Sequence, residues 1–154
     1  MCCARCWTTL GALLAGLAVT AGAFGAHGLS RHFAQKYGTG EEMQVVTVAG
    51  QSISKAARYL EVFQTAARYQ MYHALGLIAV GLLGAGATRP KKSLQLAGWS
   101  FALGIVLFSG SLYALTLTGA AWWGMVTPLG GALFIIGWIA MAVAAGSPES
   151  GVAG

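Results

Sequence analysis

Side chains able to carry chemistry are few in this chain, and they gather in four places. The stretch GAFGAHGLSRHF at 22–33 brings His27 to the end of a long apolar run. Tyr69, Gln70 and His73 open a second such run, Ser109, Ser111 and Tyr113 lie towards the end of a third, and Thr127 followed by Pro128 lies towards the start of a fourth. On a helix, Gln70 and His73 share a face as an i, i+3 pair, and Tyr69 with His73 and Ser109 with Tyr113 do so as i, i+4 pairs. Imidazole, phenol, amide and hydroxyl at one depth in a membrane can form an interhelical hydrogen-bond layer, at roughly 0.6–2 kcal/mol per bond. The same groups could form a ligand pocket or a proton-handling site through His27 and His73, because histidine titrates near neutrality and ionisable groups inside spans are functional candidates. The structural layer is the commoner use of uncharged polar residues near an interface.

Other chemistries fit less well. Two histidines without a carboxylate at the same depth fall short of the three or four ligands of a usual metal site, so no metal and no cofactor are expected. All three cysteines, Cys2, Cys3 and Cys6, lie in the opening MCCARC. Their single Cys-x-x-Cys lacks the second pair of a four-ligand zinc site, and reduced thiols at a cytoplasmic N-terminus are the plainer reading. No Gly-x-Ser-x-Gly, His-Glu-x-x-His or Gly-x-x-x-x-Gly-Lys occurs, and the chain contains no Asp. A Ser-His pair without an orienting carboxylate is a poor nucleophile, so Ser109 and Ser111 do not make this an enzyme on paper.

Composition says what must position these groups. With 56% hydrophobic and 8% charged residues in 154, the chain has far less polar surface than a soluble globule, whose charged share is about 25%. The net charge of +5 lies in short basic clusters flanking apolar runs, which suits anionic lipid headgroups rather than nucleic acid. Runs of about 20 apolar residues match the roughly 30 Å hydrocarbon layer. The spans expected on that basis are 7–26, 69–88, 93–117 and 122–145. The first is longer than the apolar core of a signal peptide, its rival reading. Trp122 and Trp123 anchor the turn of the last helical hairpin at the interface.

Between the first two spans, residues 28–68 form one longer polar loop. Within it 54–68 reads as an amphipathic helix running into the second span, with Phe63, Ala66, Gln70, His73 and Leu77 on one face. Residues 38–52 read as a flexible insert with a short strand at Val45–Val48. Helix direction alternates from span to span, so all four polar places fall at the same membrane face. Four spans put both termini on one side, and the acid-free cluster of Arg5, Arg89, Lys91 and Lys92 favours the inside. On the first span Gly11, Ala15, Ala18, Gly22 and Gly25 recur at spacings of 4, 3, 4 and 3, drawing a seam of small residues that lets a neighbouring backbone approach.

Four segments in order, GAFGAHGL at 22–29, ARYQMYHAL at 67–75, LFSGSLY at 107–113 and TPLGG at 127–131 followed by IGW at 136–138, resemble the successive signatures of the YgdD-like family, which includes the eukaryotic transmembrane protein 256. The resemblance touches all four spans. It implies a small multi-span membrane protein of unassigned function, with no catalytic residues or cofactor to carry over. The 28–68 loop is longer than that family leads one to expect.

The expected protein is therefore all-α, a single membrane-embedded four-helix bundle over 1–154, without enzymatic activity. Its location is the bacterial inner membrane, or an organellar membrane in a eukaryotic host. Its partner is the lipid bilayer, with a homo-oligomer or another membrane protein open. The alternative function is a small transporter or proton-coupled channel subunit using His27 and His73; a chain this short would need to oligomerise for alternating access.

Overall fold

The first proline of the chain is Pro90, so no ring locks φ or removes a donor before it, and the first helix runs past the glycines that close its apolar run. The computed structural model describes residues 4–38, 44–87 and 92–146. Cys2, Cys3, Arg89, Lys91 and the C-terminal tail lie outside the described residues, and Cys6 is exposed in the first turns of the first helix.

Helix α1 (Ala4–Phe24) passes through one wide π-turn, Gly25–Leu29, into α2 (Ser30–Tyr37). The loop expected from residue 28 therefore begins after α2. The physical reason is an apolar stripe inside this polar segment: Leu29, Phe33 and Tyr37, four residues apart, are buried together with Phe63. A short antiparallel hairpin follows, β1 (Val45–Val48) against β2 (Gln51–Ser54), with Val45 opposite Ser54. Ala49 and Gly50 turn it with φ of 50° and 81°, the positive values that a tight two-residue hairpin turn demands. The predicted strand is present, and its partner occupies part of the segment read as a flexible insert.

Ser54 caps the next helix by accepting a hydrogen bond from the Ala57 amide at 3.1 Å, as a side-chain oxygen at that position should. Helix α3 (Lys55–Gly86) then runs unbroken for 32 residues, about 48 Å, well beyond one hydrocarbon layer. Its amphipathic first half and its apolar second half are one element, and Phe63, Ala66, Gln70, His73 and Leu77 are all buried along it. Helix α4 (Lys92–Gly104), a second π-turn at Ile105–Ser109, and α5 (Gly110–Thr118) form the next continuous rod. Gly119 ends it with φ of 79° while its amide bonds to the Leu115 carbonyl, a left-handed cap that suits glycine. A 3-10 turn at Ala121–Met125 carries the stacked Trp122 and Trp123 into α6 (Thr127–Gly146).

Helix α1 packs chiefly on α3, α4 packs on α6, and α3 joins the two pairs. A core of Trp7, Leu77, Val80, Leu94, Ala97, Phe101, Ile105 and Phe134, with Ala140 and Ala144, fills the space between them. Small residues decide how near the helices come. A Cβ on Gly11 would lie 2.6 Å from the Ala74 carbonyl oxygen, and one on Gly81 would lie 2.7 Å from that of Ala4. The seam does not hold along its whole length. A Cβ on Gly25 would meet the Phe63 ring at 3.1 Å, but one on Gly22 would meet nothing within 4 Å. Gly22 faces a recess, because α3 bends no side chain or backbone towards it.

Gly11→Leu should therefore lower stability by at least about 1–3 kcal/mol through overpacking, while Gly22→Leu should cost less than about 1 kcal/mol. Thermal unfolding in detergent compares the two, and equal midpoints would remove the close approach from this account.

Candidate functional site

Gln70 lies on the buried face of α3, where nothing but protein can satisfy its amide. Its Nε2 donates to the Leu14 carbonyl of α1 at 2.9 Å, and its Oε1 accepts from the Tyr113 hydroxyl of α5 at 3.1 Å. One side chain thus ties three helices at one depth. A tilted ring contact adds to the tie, since the Tyr113 ring lies 4.8 Å from that of Phe63 at 54° between planes.

A second link joins α5 to α6. Ser111 Oγ and Thr127 Oγ1 are 2.9 Å apart, and Ser111 Oγ also lies 3.0 Å from the Phe108 carbonyl that accepts from it. Thr127 stands at the first position of α6, so the turn after Trp123 brings its hydroxyl to α5. Ser109 is fully buried in the π-turn, and its hydroxyl has no hydrogen-bond partner among the described residues.

His73 belongs to neither link. Its Nδ1 lies 2.7 Å from the Tyr69 carbonyl, which can only accept, so Nδ1 donates. The ring is stacked on Phe134 at 3.3 Å between centroids and 5° between planes, with Phe101 and Trp138 on its flanks. Tyr69 stacks on Phe108 at 4.7 Å and stays partly exposed at the surface. His27 is exposed on the π-turn of the first helix. The expected layer thus divides into a Gln70–Tyr113 bridge, a Ser111–Thr127 link, an aromatic box around His73 and Tyr69, and an outlying His27.

Three participants escaped the sequence reading. The Leu14 carbonyl is a backbone group, and no residue type could announce it. Phe134 and Trp138, an i, i+4 pair on α6, were legible as a helix face but carried no mark of the imidazole between them. Above the layer, at the aromatic cap, Lys55 Nζ lies 4.7 Å from the centre of the Tyr37 ring and donates to Gln44, and Lys36 Nζ reaches the Leu117 carbonyl at 3.3 Å. Among the described residues no three of His, Cys, Asp and Glu come together as metal ligands would.

Among the described residues three segments, Ala4–Tyr37, Lys92–Thr118 and Ala121–Gly146, are long and apolar enough to cross a membrane, and Ser111 and Thr127 link the last two. The fold and its polar layer define a small polytopic integral membrane protein. A family model described as protein of unknown function, DUF423, matches residues 21–131, and the chain belongs to that family. It is similar to the UPF0382 membrane protein YwdK of Bacillus subtilis, 45% identical over 136 residues, covering 88% of this chain and 92% of that one. A UPF0382 membrane protein of Staphylococcus epidermidis is 42% identical over 135 residues, covering 88% and 90%. No solved structure matches. The resemblance carried by the four sequence signatures agrees with this membership, since those relatives too are membrane proteins by name.

The bridge makes a quantitative expectation. Tyr113→Phe should cost about 1 kcal/mol, and Gln70→Leu more, because it strands the Tyr113 hydroxyl in a dry layer. The double variant should then cost less than the sum of the two. Detergent unfolding of the four proteins measures the coupling, and additive losses would mean that the two side chains do not interact.

Proposed function

We propose that the chain is one non-enzymatic membrane domain in which α1, α3, the α4–α5 rod and α6 all cross the bilayer, and whose polar layer fixes the helices in register. The observation that carries this reading is the bridge from Tyr113 through Gln70 to the Leu14 carbonyl. It satisfies, inside the protein, groups that lipid cannot. For α3 as the fourth span, the support is the direction of its side chains. Gln70 and His73 are buried, whereas Leu75, Leu82 and Leu83 are turned outwards. A helix buried on its polar face does not need to be apolar all round to sit in lipid.

Catalysis is disfavoured by what the hydroxyls touch. Ser111 is held by Thr127 and a carbonyl, and His73 is enclosed by rings rather than by a nucleophile. The bilayer is the expected partner, with further copies of the chain or another membrane protein at its apolar outer face, in a bacterial inner membrane with both termini cytoplasmic.

Two measurements bear on this. Green fluorescent protein fused to either end should fluoresce in both fusions, and alkaline phosphatase should be inactive in both; termini on opposite sides would leave three spans. Proteoliposomes holding wild type and His73→Gln should show the same proton flux as protein-free vesicles. A wild-type flux that His73→Gln abolishes would instead make this histidine a proton carrier.

A further inference from the structure

Between the tight contacts at Gly11 and Gly25, α1 and α3 leave a recess of about 280 Å³ lined by Ala18, Gly22, Gln64, Ala67, Arg68 and Met71. Its wall is made by small residues and a thioether, and its polar groups are one amide and one guanidinium. The Gln64 side chain makes no hydrogen bond among the described residues, and Arg68 gives one Nη to the neighbouring Thr65 hydroxyl at 3.1 Å. The ion pair found among the described residues, Arg58 with Glu61, lies two turns away along α3. Arg68 is thus an exposed cation without a carboxylate among those residues. It is also the last charge before the charge-free run of the second span, followed at once by the exposed Tyr69 and Tyr72.

From this geometry we infer that the recess is a binding site for one anionic phospholipid, its phosphodiester on Arg68 and Gln64 and the upper part of an acyl chain over Gly22 and Ala18. A guanidinium at the edge of hydrocarbon needs an anion, and its planar fork fits two phosphate oxygens. The aliphatic stem of Arg68 reaches the headgroup level while its base stays in the apolar layer. Gly22 acquires a reason on this account: it has no helix neighbour, and any side chain there would occupy the volume of the lipid tail. The inference goes beyond the packing role proposed above and needs only that the chain is integral to a membrane.

Native mass spectrometry of the detergent-purified protein, titrated with phosphatidylglycerol or phosphatidylcholine of the same chains, tests it. Wild type should retain phosphatidylglycerol in preference. Arg68→Gln should weaken that retention about tenfold, the loss of a charge-assisted contact, and leave phosphatidylcholine unchanged. Arg68→Lys and Arg58→Gln should keep the preference, Gly22→Leu should lower retention of both lipids, and inorganic phosphate should not displace the bound lipid. Equal retention of the two lipids by wild type, or an unaltered preference in a folded Arg68→Gln, would overturn the site. Displacement by inorganic phosphate would overturn the lipid as its ligand. A failed packing role would appear instead as undiminished stability in Gln70→Leu, with the lipid preference intact.

Discussion

A buried amide must be answered by protein, and the arrangement of this molecule follows from how Gln70 is answered. A buried polar group left without a partner costs about 1–3 kcal/mol, so the face of α3 that bears Gln70 and His73 is kept against its neighbours. Helix α3 is accordingly the shared one. It lies against α1 on one side and against the α4–α5 rod on the other, and it receives a carbonyl from the first and a phenol from the second. The close approach at Gly11 and Gly81 serves the same end, because the Leu14 carbonyl comes within reach of a side chain on α3 only if the two backbones nearly touch.

The buried face of α3 was legible because its apolar and polar members recur at alternating intervals of three and four, the period of a straight helix. The continuation of α1 into α2 was not, since Arg31, His32, Gln35 and Lys36 give that segment the composition of a loop, and its stripe of Leu29, Phe33 and Tyr37 becomes visible only against Phe63. The grouping of the polar side chains was not legible either. Which helix stands beside which decides that Tyr113 meets Gln70 rather than His73, and no spacing within a single span contains that information. Gly22 shows the same limit, since a regular repeat of small residues implies a straight contact, whereas the two helices part company midway.

Two π-turns interrupt the helices, at Gly25–Leu29 and Ile105–Ser109. On the first helix the buried residues from Gly25 onwards are Gly25, Leu29, Phe33 and Tyr37, and on the α4–α5 rod they include Ala97, Phe101, Ile105 and Ser109. Both series step by four. In a regular helix each step of four overshoots a full turn by about 40°, so after three steps such a stripe would have rotated away from its partner by roughly a third of a circle. A π-turn winds more loosely and sets the stripe back. Gly110 donates to the Ile105 carbonyl five residues earlier, and Ser30 and Ser111 add hydroxyl donors to carbonyls in or beside the two wide turns. Helix α3, whose buried positions alternate threes and fours, has none.

Each wide turn therefore acts as a phase correction, one residue of slack that keeps a drifting face aimed at a fixed target. On the first helix it uncouples two alphabets. The membrane half is free to be written in small residues, with its own period, and the cap in aromatic ones, with another, because the junction at 25–29 absorbs the mismatch between them. A chain built this way can alter the chemistry of its exposed cap without re-tuning the spacing of the helix that holds it in the membrane.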